Sequence, residues 1–189
     1  MMDQLLTLFN SILPISEEEQ ILMKQHLYIE TLKKGEKYCE QDKICKKIGF
    51  VLKGVFKVLK TDSEGNQYIP YFTSEGHFAV AMESFTNKTP SDESVEALTD
   101  CTVITISRSA FDLLEKEITN FSRIIHQLKE KAFIEKFKMK SEMLVDDAET
   151  KYSKLILRHP SIIQRVPQSQ IALFLGITTF TLSRIRARK

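Results

Sequence analysis

The sequence predicts an α+β protein with a β-rich domain in front, a long helix in the middle and a helix-turn-helix at the C-terminal end. Three observations lead there. Short apolar runs broken by turn residues fill the stretch from Gly35 to Ser107. No Gly or Pro occurs from Ala110 to about Leu144. The last stretch, Val166 to Lys189, pairs two short apolar periodicities around Gly176 and ends in a basic cluster.

The segment from Met1 to Leu32 reads as helical. Leu5, Leu8, Phe9 and Ile12 share one face, Pro14 stops the run, and Ser16 with Glu19 forms a capping box for a second helix. The texture changes at Lys33. Phe50-Val51-Leu52, Val55 to Leu59, Tyr68 to Phe72, Val95 to Leu98 and Cys101 to Ile106 are strand candidates, with Asp62 to Asn66 as a turn cluster. Several short strands at such spacing predict a sandwich or barrel. Beyond Ser109, Phe121, Ile125, Leu128 and Ala132 recur at helical spacing, and Ile124, Ile134 and Phe137 widen the stripe. Such a helix covers either its own domain or a partner. Its length exceeds what one small sandwich can cover, which favours the partner and marks Phe121, Ile124, Ile125, Leu128 and Ala132 as dimer-interface candidates. Asp146 to Arg158 reads as another helix, closed by His159-Pro160.

Each demand of a helix-turn-helix is met near the end. Ala172 is the small residue at a close helix crossing, Gly176 supplies the turn, Ile177 fills the corner and Thr178 is the N-cap of the second helix. Leu182 and Ile185 face inward with Ile171 and Leu175. Thr179, Phe180, Ser183 and Arg184 are left as base-reading candidates, and Gln168, Ser169, Gln170, Arg186, Arg188 and Lys189 as phosphate contacts. An ion pair with the front domain is the competing role for Arg184.

Composition is that of a soluble globular protein: 189 residues, 42% hydrophobic, 28% charged, formal net charge +2. The basic end, Ser183 to Lys189, is where a nucleic-acid footprint would lie. Met1 to Leu13 lacks the positive start and cleavage site of a signal peptide, and no run is long enough to span a bilayer, so a cytoplasmic protein without membrane contact is expected. The three cysteines, Cys39, Cys45 and Cys101, lack metal-binding spacing and read as ordinary thiols; no metal and no cofactor is expected. No catalytic triad, paired carboxylates, phosphate loop or HExxH is visible, so an enzyme is not expected. A ligand-sensing module without DNA binding is the competing class.

The chain resembles the Crp/Fnr family of bacterial transcription regulators. Gly49 to Val58 is similar to the family's central sensor strands, Val95 to Phe111 to its last strands entering the long helix, and Val166 to Arg186 to its helix-turn-helix. Pro160 to Gln168 is similar to members from the Bacteroidetes. The resemblance implies a cyclic-nucleotide-binding-like β jelly roll with flanking helices over 1–117, a dimerisation helix over 118–145 and a DNA-binding domain over 146–189. It also implies a homodimer, a palindromic double-stranded DNA site and contact with RNA polymerase. Where cyclic-AMP-binding members carry a phosphate cassette, this chain has Val80, Ala81, Ser91 and Asp92. The ribose-binding Glu and the phosphate-binding Arg are gone, and Asp92, Glu93 and Glu96 are expected to make the neighbourhood negative. No cyclic AMP response is therefore expected; whether another small-molecule effector exists is left open.

Overall fold

A computed structural model describes residues 2–188. Helices α1 (Asp3–Ile12) and α2 (Glu17–His26) lead into the strands β1 (Leu27–Leu32), β2 (Lys37–Cys39), β3 (Lys47–Lys53) and β4 (Phe56–Thr61). Three two-residue strands follow: β5 (Gln67–Tyr68), β6 (Phe72–Thr73) and β7 (Phe78–Ala79). A short helix, α3 (Met82–Asn87), precedes β8 (Glu93–Ala97) and β9 (Cys101–Ser107). The rest is helical: α4 (Arg108–Glu117), α5 (Phe121–Val145), α6 (Ala148–Arg158), α7 (Pro160–Arg165), α8 (Gln168–Leu175) and α9 (Thr179–Ala187).

The strands form two antiparallel sheets, ordered β1-β9-β3-β7 and β2-β8-β4-β5, with β6 also on β4. They enclose one apolar core in a sandwich-like domain, with Val51, Phe56, Val95 and Val103 buried between them. Tyr38 ties the two sheets together: its ring meets Phe56 edge-on and its hydroxyl lies 3.1 Å from Thr105 Oγ1. Gly49 permits this, because a Cβ there would stand 2.8 Å from the Tyr38 hydroxyl. The Tyr68–Phe72 run is not one strand. Pro70 has no N–H to give a ladder, and pairing with β4 resumes only at Phe72.

The helical reading of 1–32 holds only to His26. Leu27 to Leu32 is strand β1, paired along its length with β9 from Leu27↔Ile106 to Leu32↔Cys101. Its Ile29 and Thr31 are β-branched, and the ladder with β9 outweighs the local helical pattern. The capping box is present, with Glu19 Oε2 accepting from the Ser16 N–H at 2.8 Å.

The helix expected from Ala110 to Leu144 is two helices. Ile118 is extended and buried, and the Thr119 N–H is taken by Glu19 Oε1 at 2.9 Å, out of reach of the helical ladder. Asn120 then donates to the Pro14 carbonyl at 2.9 Å. This break changes the assignment of the dimer-interface candidates. Phe121, Ile124 and Ile125 are buried in the chain's own core, where the Phe121 ring lies 5.1 Å from Phe111 and 5.9 Å from Phe9. Leu128 is half-buried against that core, and Ala132 is half-buried as well. The early turns of α5 pack on α1 and α4, so they are not free for a partner. Large exposed apolar side chains come later: Phe133, Ile134, Phe137 and Leu144 are 67%, 56%, 64% and 86% exposed, a face no neighbour of the chain covers. No described helix is long and apolar enough to cross a membrane.

Candidate nucleic-acid interface

Helices α6 to α9 have their own apolar centre, but the front domain contributes to it. Val55, Ile69 and Leu98 of the β-domain pack with Tyr152, Leu155, Ile162, Val166, Ile171, Phe174, Leu175, Leu182 and Ile185. The Phe72 and Phe174 rings meet at 4.9 Å. Polar links surround this contact. Arg165 grips Glu75 through two bonds, Nη1 to Oε1 at 2.6 Å and Nη2 to Oε2 at 2.9 Å. The same Glu75 Oε1 accepts from the Gly54 N–H at 2.8 Å. The Arg165 guanidinium holds the Glu75 carboxyl down to about 2. Paired charges of this planar, two-pronged kind fix orientation as well as position.

Within the C-terminal unit, α8 ends at Gly176, whose φ of +68° is left-handed and whose N–H caps the helix. A Cβ residue there would be strained. Thr178 then caps α9, its hydroxyl accepting from the Thr181 N–H at 3.1 Å. Ala172, Ile171 and Leu175 are buried against Leu182 and Ile185 of α9. The opposite side of α9 faces solvent: Thr179, Phe180, Ser183, Arg184 and Arg186 are exposed, as is Arg188 just beyond it. Lys189 lies outside the described residues. The guanidinium of Arg184 stands 5.8 Å from the Phe180 ring centre, and among the described residues it has no ion pair with the front domain. Helix α9 carries no acidic residue, and Arg184 and Arg186 sit in its last turn.

Gln168 and Ser169 are exposed at the start of α8. Gln170 is not available as a phosphate contact: its Oε1 accepts from Lys57 Nζ of β4 at 3.1 Å, so the side chain faces the β-domain. This link and the Glu75–Arg165 pair join residues 113 and 90 positions apart. No local pattern in the chain reports contacts so distant, and both were missed.

The cassette positions lie at the entry of α3 and before β8. Val80, Ala81 and Ser91 are buried, and the Ser91 hydroxyl donates to the Glu93 carbonyl at 2.7 Å. Asp92 is exposed and pairs with Lys60 at 2.7 Å. The expected negative neighbourhood is thereby corrected. Lys60 also reaches Glu93 at 3.7 Å, and Lys57 lies 3.3 Å from Glu96, so each acid has a cation beside it. His77, the loop histidine, is exposed, with Nδ1 3.0 Å from the Glu75 carbonyl.

Residues 29–117 match the cyclic nucleotide-binding domain family. No curated protein matches the sequence. Among solved structures, the chain is similar to a protein assigned to the Crp/Fnr regulators from Eubacterium rectale, with a TM-score of 0.72 at 14% identity, covering 92% of this chain and 83% of that one. It is similar to FixK2 from Bradyrhizobium japonicum, with a TM-score of 0.73 at 16% identity over 86% and 83% of the two chains. A third is the c-di-GMP-responsive global regulator CLP of Xanthomonas campestris, with a TM-score of 0.66 at 12% identity over 92% and 91%. These likenesses show the fold, and their coverage carries it from the sandwich through the C-terminal helices.

The Glu75–Arg165 pair makes the seam pH-sensitive. Because the folded carboxyl is depressed from 4.5 to about 2, its contribution is fully present above pH 4.5 and is lost as pH falls toward 2. Glu75 is 39% exposed, so solvent screening limits the gain to about 1 kcal/mol or less. In urea melts, Glu75→Gln is expected to be less stable than the parent at pH 7, with the gap closing as pH approaches 2. An equal gap at both pH values would show that the loss is steric and that the charge is irrelevant.

Proposed function

We propose that this chain is a sequence-specific, DNA-binding transcription regulator of the Crp/Fnr type and that α8, the Gly176 turn and α9 form its helix-turn-helix. The observation that carries the reading is the two-sidedness of α9. Leu182 and Ile185 are buried, while Phe180, on the outer side beside Thr179, Ser183 and Arg184, is 71% exposed. A bulky ring left in water on a helix without acids is suited to a surface that supplies both apolar and anionic partners. A major groove does so, with thymine methyls, guanine edges and flanking phosphates. Gln168, Ser169, Arg186 and Arg188 flank this face as phosphate contacts.

The active form is a homodimer, its seam formed by the exposed part of α5 around Phe133 and Phe137 and not by Phe121, Ile124 and Ile125. A twofold protein reads a palindromic site. RNA polymerase is the further partner and the cytoplasm the compartment, both by likeness to Crp/Fnr regulators.

Cyclic AMP is not the effector. At the cassette, Val80 and Ala81 are buried and apolar, Ser91 is spent on a backbone carbonyl, and Asp92 is paired with Lys60. No arginine stands at these positions for a cyclic phosphate. Two missing charge-assisted bonds, at about 1.5–3 kcal/mol each, weaken binding by about a hundredfold or more. Calorimetric titration with cyclic AMP is expected to show no heat up to about millimolar ligand. A micromolar dissociation constant would overturn this.

Two substitutions separate base reading from phosphate holding. Arg184→Ala is expected to cost about 1–3 kcal/mol at the specific site and to flatten preference at one base position. Arg188→Ala is expected to weaken all duplexes alike and to lower the salt slope by about one. The check is binding of both variants to a duplex library across salt concentrations. Unchanged base preferences in Arg184→Ala remove that residue from the reading set; no duplex binding by the parent at low salt leaves a sensor domain without DNA.

A further inference from the structure

Cys39 closes β2 and Cys45 lies in the loop that leads to β3. Their sulfurs are 2.7 Å apart, and each residue is 5% exposed. Two free thiols are thus held face to face by a braced loop. Asp42, at a φ of +63°, donates its N–H to the Ser91 carbonyl at 2.8 Å, and the Ser91 N–H returns a bond to Lys43 at 3.0 Å. The Cys45 N–H donates to Ser84 Oγ of α3 at 2.9 Å. The loop therefore cannot easily carry one sulfur away from the other.

We propose that Cys39 and Cys45 form a reversible dithiol–disulfide site whose oxidant is hydrogen peroxide. The juxtaposition carries the inference, because closing the bond to about 2.05 Å asks for only a small approach of sulfurs already in contact. Burial selects the oxidant class: a bulky disulfide partner cannot reach either sulfur, whereas a molecule little larger than water can. The contact between the two sulfurs holds the Cys45 thiol down to about 7, and the same contact together with burial pushes Cys39 up. Cys45 is thus the attacking thiolate. It takes one peroxide oxygen; the O–O bond breaks and hydroxide leaves, giving a sulfenic acid at Cys45. The Cys39 sulfur attacks that sulfur; the S–S bond forms, the S–O bond breaks, and water leaves with the Cys39 proton. Overall the two thiols lose two electrons, and peroxide becomes two waters. A dithiol reductant reverses the change by exchange once opening of the loop exposes the bond. Cys101, buried near Val55 and Thr99, takes no part.

The test uses the full chain, treated with hydrogen peroxide or with a dithiol reductant, then unfolded, alkylated and weighed. Of the three cysteines, the reduced protein is expected to take an alkyl group on each, and the oxidised protein on Cys101 alone. Peptide mapping is expected to find a Cys39–Cys45 link that the reductant removes. In Cys39→Ser, oxidised and then unfolded in the presence of a 1,3-dione probe, a sulfenic acid is expected to be trapped at Cys45; in Cys45→Ser treated alike, none is expected at Cys39. Three alkyl groups after peroxide, or a link through Cys101 or between two chains, would overturn the proposal. The mapping on the parent decides it even if a serine variant does not fold. The result is independent of whether the chain binds DNA.

Discussion

The C-terminal helices do not stand alone. Val55, Ile69 and Leu98 belong to the β-domain by sequence, yet they are buried among side chains of α6 to α9. Burying that apolar surface is the constraint on which the orientation of α9 depends, at roughly 25 cal/mol per Å² removed from water. Glu75 sharpens it. One carboxylate receives the Gly54 N–H from the β3–β4 turn and the Arg165 fork from α7. Apolar burial provides the attraction; the bidentate pair and the Lys57–Gln170 bond provide the register.

From this follows what the sandwich can do for the far end. Phe174 rests on Phe72 of β6, and the strand paired with β6, β4, carries Lys57, which holds both Glu96 and Gln170. A change in the β-domain that moved Phe72 or Lys57 would tilt α8, and with it the exposed face of α9. The cassette positions are filled by buried Val80, Ala81 and Ser91, so such a change need not start from a cyclic nucleotide.

Much of this was legible in the chain itself. The sandwich was visible through the close spacing of several short apolar runs, and the turn at Gly176 through glycine chemistry that only a left-handed φ explains. The inward and outward sides of α9 followed from the spacing of Leu182 and Ile185. Where the reading failed, tertiary contacts had overruled local pattern. Leu27 to Leu32 is a strand because β9 offers it a full ladder. The long helix breaks at Ile118 because Glu19, far away in sequence, captures the Thr119 N–H. Phe121, Ile124 and Ile125 looked like a partner's surface because periodicity records that a face is apolar, and cannot record whose core it fills. The Glu75–Arg165 and Lys57–Gln170 links, and the pairing of Cys39 with Cys45, have no periodic trace at all.

The central claim is that two copies of this chain present α9 to one duplex. Selection of bound sequences from a randomised duplex pool by the full-length protein tests it most directly. The account predicts enrichment of a site with two inverted halves, their centres about one helical turn, or about 34 Å, apart. A bound pool with no shared sequence, or with a single unrepeated half, would contradict it.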